Sequence, residues 1–420
     1  MQMNMSKPWF ALLYDSILWI AFLIAKALAY ICFPKLRTQL DGRRVLSVPD
    51  SAMKSCDVLF FCSSAGEFEQ AKPIAKRLQD SAKTICFCFF SQSAVVFYEK
   101  RGETFPYFLA PLDSFYIWQR IFKALNPKLV LVIRHELWPA FIFTASAYAP
   151  MYLVNAVSHR ARINLVTRML LKKFRKIFCI DEHTQKNFQK YLRGVECIHT
   201  GDSKYDRVME RVSESQALPP DKGISQLKQL VLGRPTLLIG SAWQQDVSNL
   251  MRALELSQAS KTFFIVIAPH DTNSESVAAI IKSLAGFSAH IVLWSDLSTK
   301  HQANILVVDR LGILAELYQC ADLALIGGAF HHRVHNILEA AAYDTYIACG
   351  PKMSTAPEAV SFADQGVLTV CQDDRDLSRW IDLFLHSPHL LKRPKVSLIA
   401  LTGASDIILK KIREDEVLVR

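Results

Sequence analysis

The sequence predicts an α/β protein built on two doubly wound parallel sheets, and three observations lead there. From residue 50 onward, short apolar runs rich in β-branched and aromatic residues alternate with helix-period stretches. Runs that are apolar at nearly every position read as strands covered on both faces, the habit of parallel sheets. They fall into two sets: DVLFF, TICFCFF, LVLVI, MYLV and KIFCI, then TLLIG, FFIVIA, HIVLW, NILVVD, LALIGG and TYIAC. Between the sets lies SESQALPPDKGISQLKQ, residues 213–229, polar and carrying Pro219-Pro220, which reads as a linker. With roughly 150 residues to a domain, the 420 residues accommodate this plan. The expected division is 1–35 as an amino-terminal anchor, 36–212 as the first Rossmann-like domain, 213–229 as linker and 230–420 as the second. Domains of this kind face each other across a cleft and bind ligands beyond the carboxyl ends of their strands, so functional residues are sought in the loops after strands.

Composition narrows the function. A hydrophobic content of 51% with 10% aromatic residues fills a sizeable core and excludes a disordered chain or a small disulfide scaffold. There is no succession of long apolar segments, which excludes a polytopic transporter. Forty-nine Lys and Arg against thirty-nine Asp and Glu leave a charge of +10, favouring anionic partners: phosphates, acidic lipid or nucleic acid. No helix-turn-helix, zinc-finger or RNP1-like pattern speaks for nucleic acid. The ten cysteines sit mostly inside apolar runs and include no CxxC pair, the usage of a reducing compartment without a zinc ribbon or redox site.

The amino-terminal stretch Trp9 to Phe33 is the one segment of membrane grade, interrupted by Asp15, Ser16 and Lys26 and followed by Lys35, Arg37, Arg43 and Arg44. A spanning helix would leave that basic cluster, and with it the body of the protein, on the cytoplasmic side. A helix lying in the interface with Lys26 snorkelling, a secretory signal ending near Ala27-Leu28-Ala29, and a buried first helix are the other readings.

Four segments carry candidate chemistry. After DVLFFC comes Ser63-Ser64-Ala65-Gly66-Glu67, leading into a helix. Small residues there let a ligand approach the backbone, and Glu67 would face the cleft as a base; equally, Ser64 and Glu67 could form a capping box. A hydrolase elbow would need a glycine at Cys62. LVLVI ends in Arg134-His135-Glu136-Leu137-Trp138-Pro139, where Glu136 could hold substrate or pair with Arg134 or Lys128. Residues 160–176, RARINLVTRMLLKKFRK, hold seven basic residues and no acidic one, with Ile163, Val166, Met169, Leu170 and Phe174 spaced for one helical face. This reads as a membrane-surface or anionic-ligand helix, or as a solvated face over a core stripe.

In the second half, Gly327-Gly328 follows LALI and leads to a helix with His335, Asn336 and Glu339. Glycines, a helix start and a carboxylate one turn on suit a nucleotide, although a tight strand-to-helix turn needs no more. His331, His332 and His335 invite a zinc reading that lacks the HExxH glutamate. Asp374-Arg375-Asp376 matches the DxD form of metal-dependent sugar transferases, but it precedes a helix and reads rather as its cap. Lys204 in GDSKYD and His270 in IAPHD follow apolar segments and could meet a phosphate.

In order along the chain, SSAGEFEQAKPIAKRL, FPYFLAPLD, NPKLVLVIRHELWPAF, MYLVNA, GDSKYD, DRLGILAELYQCADLALIGGAF, HNILEAA and Gly350-Pro351 resemble the Kdo transferases. These are membrane-anchored enzymes of GT-B fold that move 3-deoxy-D-manno-octulosonic acid from CMP-Kdo to a lipid A precursor. The resemblance implies a GT-B protein with an amino-terminal anchor helix on the cytoplasmic face of the inner membrane, an inverting reaction, and no metal or other cofactor. It implies Glu67 as general base, with Ser64, Gly66, Glu136, Arg162 and Arg168 on the acceptor side. Lys204, Ser241, Pro269, His270, Gly327, Gly328, His335, Asn336 and Glu339 would hold the donor. Against the family pattern, GSAWQQD places Trp243 where a histidine is usual, and Pro269-His270 lacks an intervening arginine. Arg333-Val334 replace two glycines, and Val157 replaces an arginine. Most departures lie in the donor half, so the alternatives are a relative using another nucleotide sugar or lipid acceptor, and a non-catalytic membrane-bound nucleotide or lipid sensor.

Overall fold

Seven short apolar segments line up in parallel in each half of the chain. The computed structural model describes residues 9, 11–21, 55–134, 136–158, 162–217, 219, 221–284, 290–298 and 303–417. In the first sheet β1 (Val58–Cys62), β2 (Ile85–Phe89), β3 (Tyr107–Leu109), β4 (Leu129–Ile133), β5 (Met151–Ala156), β6 (Lys176–Cys179) and β7 (Glu196–His199) run in the order β3-β2-β1-β4-β5-β6-β7. The second holds β8 (Thr236–Ala242), β9 (Phe264–Pro269), β10 (Ile291–Leu293), β11 (Ile305–Val307), β12 (Leu323–Ile326), β13 (Tyr346–Cys349) and β14 (Leu368–Val370), ordered β10-β11-β9-β8-β12-β13-β14. Each sheet winds outward from one strand, returns, and winds the other way. The order therefore reverses between β1 and β4 and between β8 and β12, and the crevice at such a reversal is where doubly wound sheets bind ligands.

The strands are buried on both faces, as their composition requires. On one face of the first sheet Phe60, Phe87 and Phe89 pack with Phe68 and Tyr98; on the other, Phe61 packs with Trp118 and Phe141. In the second sheet Leu237, Ile239 and Ile265 meet Leu250, Leu254 and Trp380.

The chain divides into two compact units, one of residues up to Arg207 together with Thr402–Arg420, the other Val208–Leu401. The carboxyl-terminal helix Ala404–Arg413, expected with the second domain, thus belongs to the first unit. Its Ile408, Leu409 and Ile412 enter the Val58 and Phe60 core, and Asp206 accepts hydrogen bonds from Gly403 N (2.6 Å) and Ser405 N (2.7 Å). Its 3.6-residue period announces a buried face but not which sheet that face meets. The 213–229 segment, expected as a linker, runs largely through the helices Lys204–Ala217 and Lys222–Leu230, where Ile224 and Leu227 are fully buried. Polar composition hid two amphipathic helices.

At the amino terminus a helix over 11–21 packs Ala11 and Tyr14 on the first core and leaves Leu12, Leu13, Ile17 and Ile20 exposed. Among the described residues no helix is long and apolar enough to cross a membrane; the remainder of the expected anchor, 22–33, lies outside them. In the basic segment the helix is only Leu165–Leu171. Leu170 and Phe174 are buried as the spacing predicts, whereas Val166 and Met169 are exposed together with Leu165.

Truncating Ile408 to alanine is expected to cost the first unit about 3 kcal/mol, the usual penalty for emptying a fully buried aliphatic site. Urea unfolding reads this loss, and an unchanged midpoint would place the last helix outside that core.

Candidate functional site

The sharpest local chemistry lies where β1 meets its helix. Ser64 caps the helix Ala65–Asp80, its hydroxyl accepting from Glu67 N at 3.3 Å. The Glu67 carboxylate turns back and accepts from Ser63 through the backbone N–H and, at 2.9 Å, the hydroxyl. Ser64 is thus the cap the sequence allowed, but the Glu67 carboxylate reaches back to Ser63 and not to the amide of the cap residue itself. Glu67 is 7% exposed, and burial pushes its carboxyl above the ordinary range. The charge of Glu136 adds to the rise, while the Ser63 hydrogen bonds and Arg134 oppose it. Beside it Gly66 is exposed, and a Cβ there would meet only Ser64 Oγ, at 3.9 Å. The protein's own packing leaves the space over Gly66 open.

Around Glu67 the carboxyl ends of β4 and β5 and the loop after β7 supply a polar ring that the sequence reading did not single out. Arg134 ends β4 with φ +65°, donating from Nε to Gln70 (3.0 Å) and from Nη2 to buried Asp202 (3.3 Å). Asn155, also left-handed at φ +53°, sits in an irregularity of β5 and exchanges hydrogen bonds with Ser203, whose hydroxyl donates to Gln70 O at 2.6 Å. Non-glycine residues held in that conformation at strand ends mark strain retained beside functional sites. The available signal was a polar residue immediately after two of the apolar runs: Arg134 after LVLVI and Asn155 after MYLV; Asp202 follows no such run.

Arg134 thus serves Asp202, and Lys128 pairs with Asp57 at 3.0 Å, so neither takes the ion pair considered for Glu136. Instead Glu136 Oε2 accepts from the Trp138 indole at 2.7 Å. Lys204, expected on the donor side, falls in the first unit, with its Nζ 3.9 Å from Asp202. Arg162 is exposed and outside any helix. Arg168 is engaged locally, donating to Tyr191 O at 3.1 Å and lying over that ring.

In the second unit Ser241 and Gly327 are coupled. Ser241 adopts φ +53° in an irregularity of β8, which thrusts its carbonyl toward Gly327; a Cβ at Gly327 would come within 2.4 Å of that oxygen. Gly328 has φ +90° and donates to Asp246 Oδ2 (2.9 Å), which also accepts from Trp243 N (2.9 Å). These glycines are demanded by the turn itself. Asn336 Oδ1 accepts from Leu338 N at 3.0 Å just ahead of the helix Leu338–Ala342, and Glu339 is paired with Arg211 at 2.8 Å, its carboxylate committed within the unit. The cap of the helix Asp374–His386 is Asp373, and Asp374-Arg375-Asp376, expected to precede the helix as its cap, form its first turn.

Two of the departures from the family pattern, Trp243 and His270, meet in space. Trp243 stacks on His270 (4.9 Å), His270 on His335 (4.6 Å), and Trp243 Nε1 donates to His335 Nε2 at 3.3 Å. Burial and the neighbouring His270 hold the His335 imidazole below its ordinary proton affinity, in keeping with an Nε2 that is already an acceptor. A cavity of about 360 Å³ opens here, lined by Trp243, Gln244, Gln245, Pro269, His270 and His331 among others.

Residues 38–207 match the family model described as 3-deoxy-D-manno-octulosonic-acid transferase (kdotransferase). The chain is 23% identical to the 3-deoxy-D-manno-octulosonic acid transferase of Rickettsia prowazekii over 80% of its length and 73% of the relative. It is 25% identical to that of Aquifex aeolicus over 72% and 79%, and 25% identical to a probable mitochondrial counterpart of Arabidopsis thaliana over 80% and 78%. Among solved structures, the UDP-GlcNAc 2-epimerase of Neisseria meningitidis superposes with a TM-score of 0.61 at 15% identity, covering 85% of this chain and 99% of the other. MurG of Acinetobacter baumannii gives 0.50 at 14%, covering 85% and 99%. The structural likeness is one of fold: two Rossmann-like units on the GT-B plan.

The raised proton affinity of Glu67 has a sign that can be tested. A carboxyl held tighter in the native than in the unfolded chain contributes stability that is present below the unfolded value and lost as pH rises through the folded one. Glu67→Gln retains an acceptor for Ser63 N–H, so its stability should improve relative to wild type over the range of pH above the ordinary glutamate value of about 4. Urea midpoints across that range read the difference, and a gap that is constant or runs the other way removes the burial argument.

Proposed function

We propose that this chain, a glycosyltransferase of the Kdo-transferase type by the similarities above, transfers Kdo from CMP-Kdo to a lipid A precursor in lipopolysaccharide assembly, inverting the anomeric centre without a metal ion. Glu67 carries the reading: a buried carboxylate with raised proton affinity beside the open space over Gly66, at the strand end where a doubly wound sheet takes its ligand. Ionised Glu67 takes the proton of an acceptor hydroxyl as that oxygen bonds to the anomeric carbon. The bond from that carbon to the CMP phosphate breaks, and CMP leaves with the electron pair. Ser64, Gly66 and Glu136 border the acceptor, and Lys204 supplies a cation at the same edge. Gly327, Gly328, Ser241, Pro269, His270, His335, Asn336 and Glu339 form the donor side.

Attachment to the cytoplasmic face of the inner membrane is part of the proposal. Trp9, Leu12, Leu13, Ile17 and Ile20 are exposed on the amino-terminal helix, as are Leu165, Val166 and Met169 on the basic segment. Apolar side chains next to Arg162 and Lys172 suit an anionic lipid surface.

The packed Trp243–His270–His335 cluster favours a second reading, in which the acceptor chemistry is kept and the donor is a different nucleotide sugar. Mass spectrometry of a tetraacyl lipid A precursor incubated with detergent-solubilised protein and CMP-Kdo separates the two. Addition of Kdo by wild type, with loss of at least about 100-fold in Glu67→Gln, is the expected result. An unmodified lipid that is instead glycosylated from another nucleotide sugar would establish the second reading. Full activity in Glu67→Gln would overturn the base assignment.

A further inference from the structure

The helix Pro139–Tyr148 begins directly after the Glu136–Trp138 loop, and it has no cap of its own. Its N-cap residue is Trp138, whose side chain makes no capping bond. The orphaned amides of its first turn, Ala140 N and Phe141 N, donate instead to Asp113, at 3.0 and 2.8 Å. The same carboxylate, 5% exposed, accepts from Trp118 Nε1 at 3.1 Å and from the hydroxyl of Tyr14 at 2.9 Å. Tyr14 belongs to the amino-terminal helix, ninety-nine positions away in the chain.

Asp15 makes a second attachment. Its carboxylate accepts from Ser114 Oγ (3.0 Å), Phe115 N (2.9 Å) and Tyr116 N (3.2 Å), capping the helix Phe115–Leu125 from outside. Tyr14 also lies edge-on against Phe115, with ring centroids 5.5 Å apart. The amino-terminal helix therefore contributes to the starts of two body helices, directly to one and through Asp113 to the other. Beyond the second start, Trp138 packs 4.6 Å from Phe90 and donates its indole N–H to Glu136, so the orientation of Glu136 follows from where that helix begins.

We propose that Tyr14 and Asp113 are positioning residues: through them, docking of the amino-terminal helix sets the first turn of Pro139–Tyr148 and hence the Glu136–Trp138 loop at the acceptor site. The inference rests on the acceptor reading of that loop. It gives the helix a task besides attachment. One face holds the loop in place through Tyr14, while the opposite face leaves Leu12, Leu13, Ile17 and Ile20 available to a bilayer.

Tyr14→Phe removes one hydroxyl and keeps the ring. Hydrogen–deuterium exchange of the full chain in detergent is expected to speed up roughly three- to tenfold at the amides of residues 140–142, the equivalent of one hydrogen bond. The apparent KM for the lipid acceptor should rise by a similar factor, with kcat, the nucleotide KM and the melting temperature little changed. Tyr116→Phe, on an exposed ring outside the relay, should change none of these. Wild-type exchange at 140–142 in Tyr14→Phe would overturn the link whatever the activity. Faster exchange with an unaltered acceptor KM would overturn the positioning role. If the wild type proves inactive on lipid A precursor yet exchange still quickens in the variant, the mechanical link stands and only the functional reading falls.

Discussion

A parallel sheet with a helix after nearly every strand leaves unpaired backbone amides at each helix start, close to where ligands bind, and these donors need acceptors. Many starts are capped by their own Ser, Asn or Asp, and at three places a buried carboxylate supplies the acceptor. Glu67 takes the Ser63 amide beyond β1, Asp113 takes those of Ala140 and Phe141 after β4, and Asp246 takes those of Trp243 and Gly328 between β8 and β12. Burial raises the proton affinity of all three, and the hydrogen bonds they accept oppose the rise. The balance fixes loops that would otherwise be free to move. It also leaves one of the three, Glu67, beside open space, where a carboxylate of raised proton affinity can act as a base.

Much of this was legible in the residues, and what was not has identifiable causes. The eleven apolar runs quoted from the sequence all contribute strands, because burial on both faces writes an unbroken apolar signature. The strands missed are YFL, ECIH and LTV, which form β3, β7 and β14 at sheet edges. A partly exposed edge strand of three or four residues has no such signature. Destinations were equally hidden. The period of ASDIILKKIR shows that its helix buries a face, but the partner is a sheet more than 200 residues earlier.

The candidate site divides in the same way. Glu67, Glu136 and the Gly327-Gly328 turn were legible because polar or small residues interrupt apolar runs there. The ring of Gln70, Arg134, Asn155, Asp202 and Ser203 was not, since it depends on left-handed backbone at Arg134 and Asn155 and on hydrogen bonds spanning up to 133 positions. Neither residue type requires that conformation, so only the assembled strand ends disclose it. Asp15 is the converse case. In the sequence it interrupts a greasy segment, while in the fold it is a helix cap, and the two descriptions agree once the segment is docked on the protein body.

The donor half poses a different question, because its departures from the Kdo-transferase pattern are not scattered. Trp243 occupies a usual histidine position and its indole donates to His335. His270, where no arginine intervenes after Pro269, fills the gap between those two rings. His331, two positions before Arg333, completes the group against Trp243 at 5.6 Å. Trp243, His270 and His331 also line one cavity of about 360 Å³. Groups in contact of this kind couple energetically, so a change at one is felt at its neighbours. The first unit thus carries a buried carboxylate, Glu67, at the end of β1, and the second a mutually packed set of rings at the ends of β8 and β9.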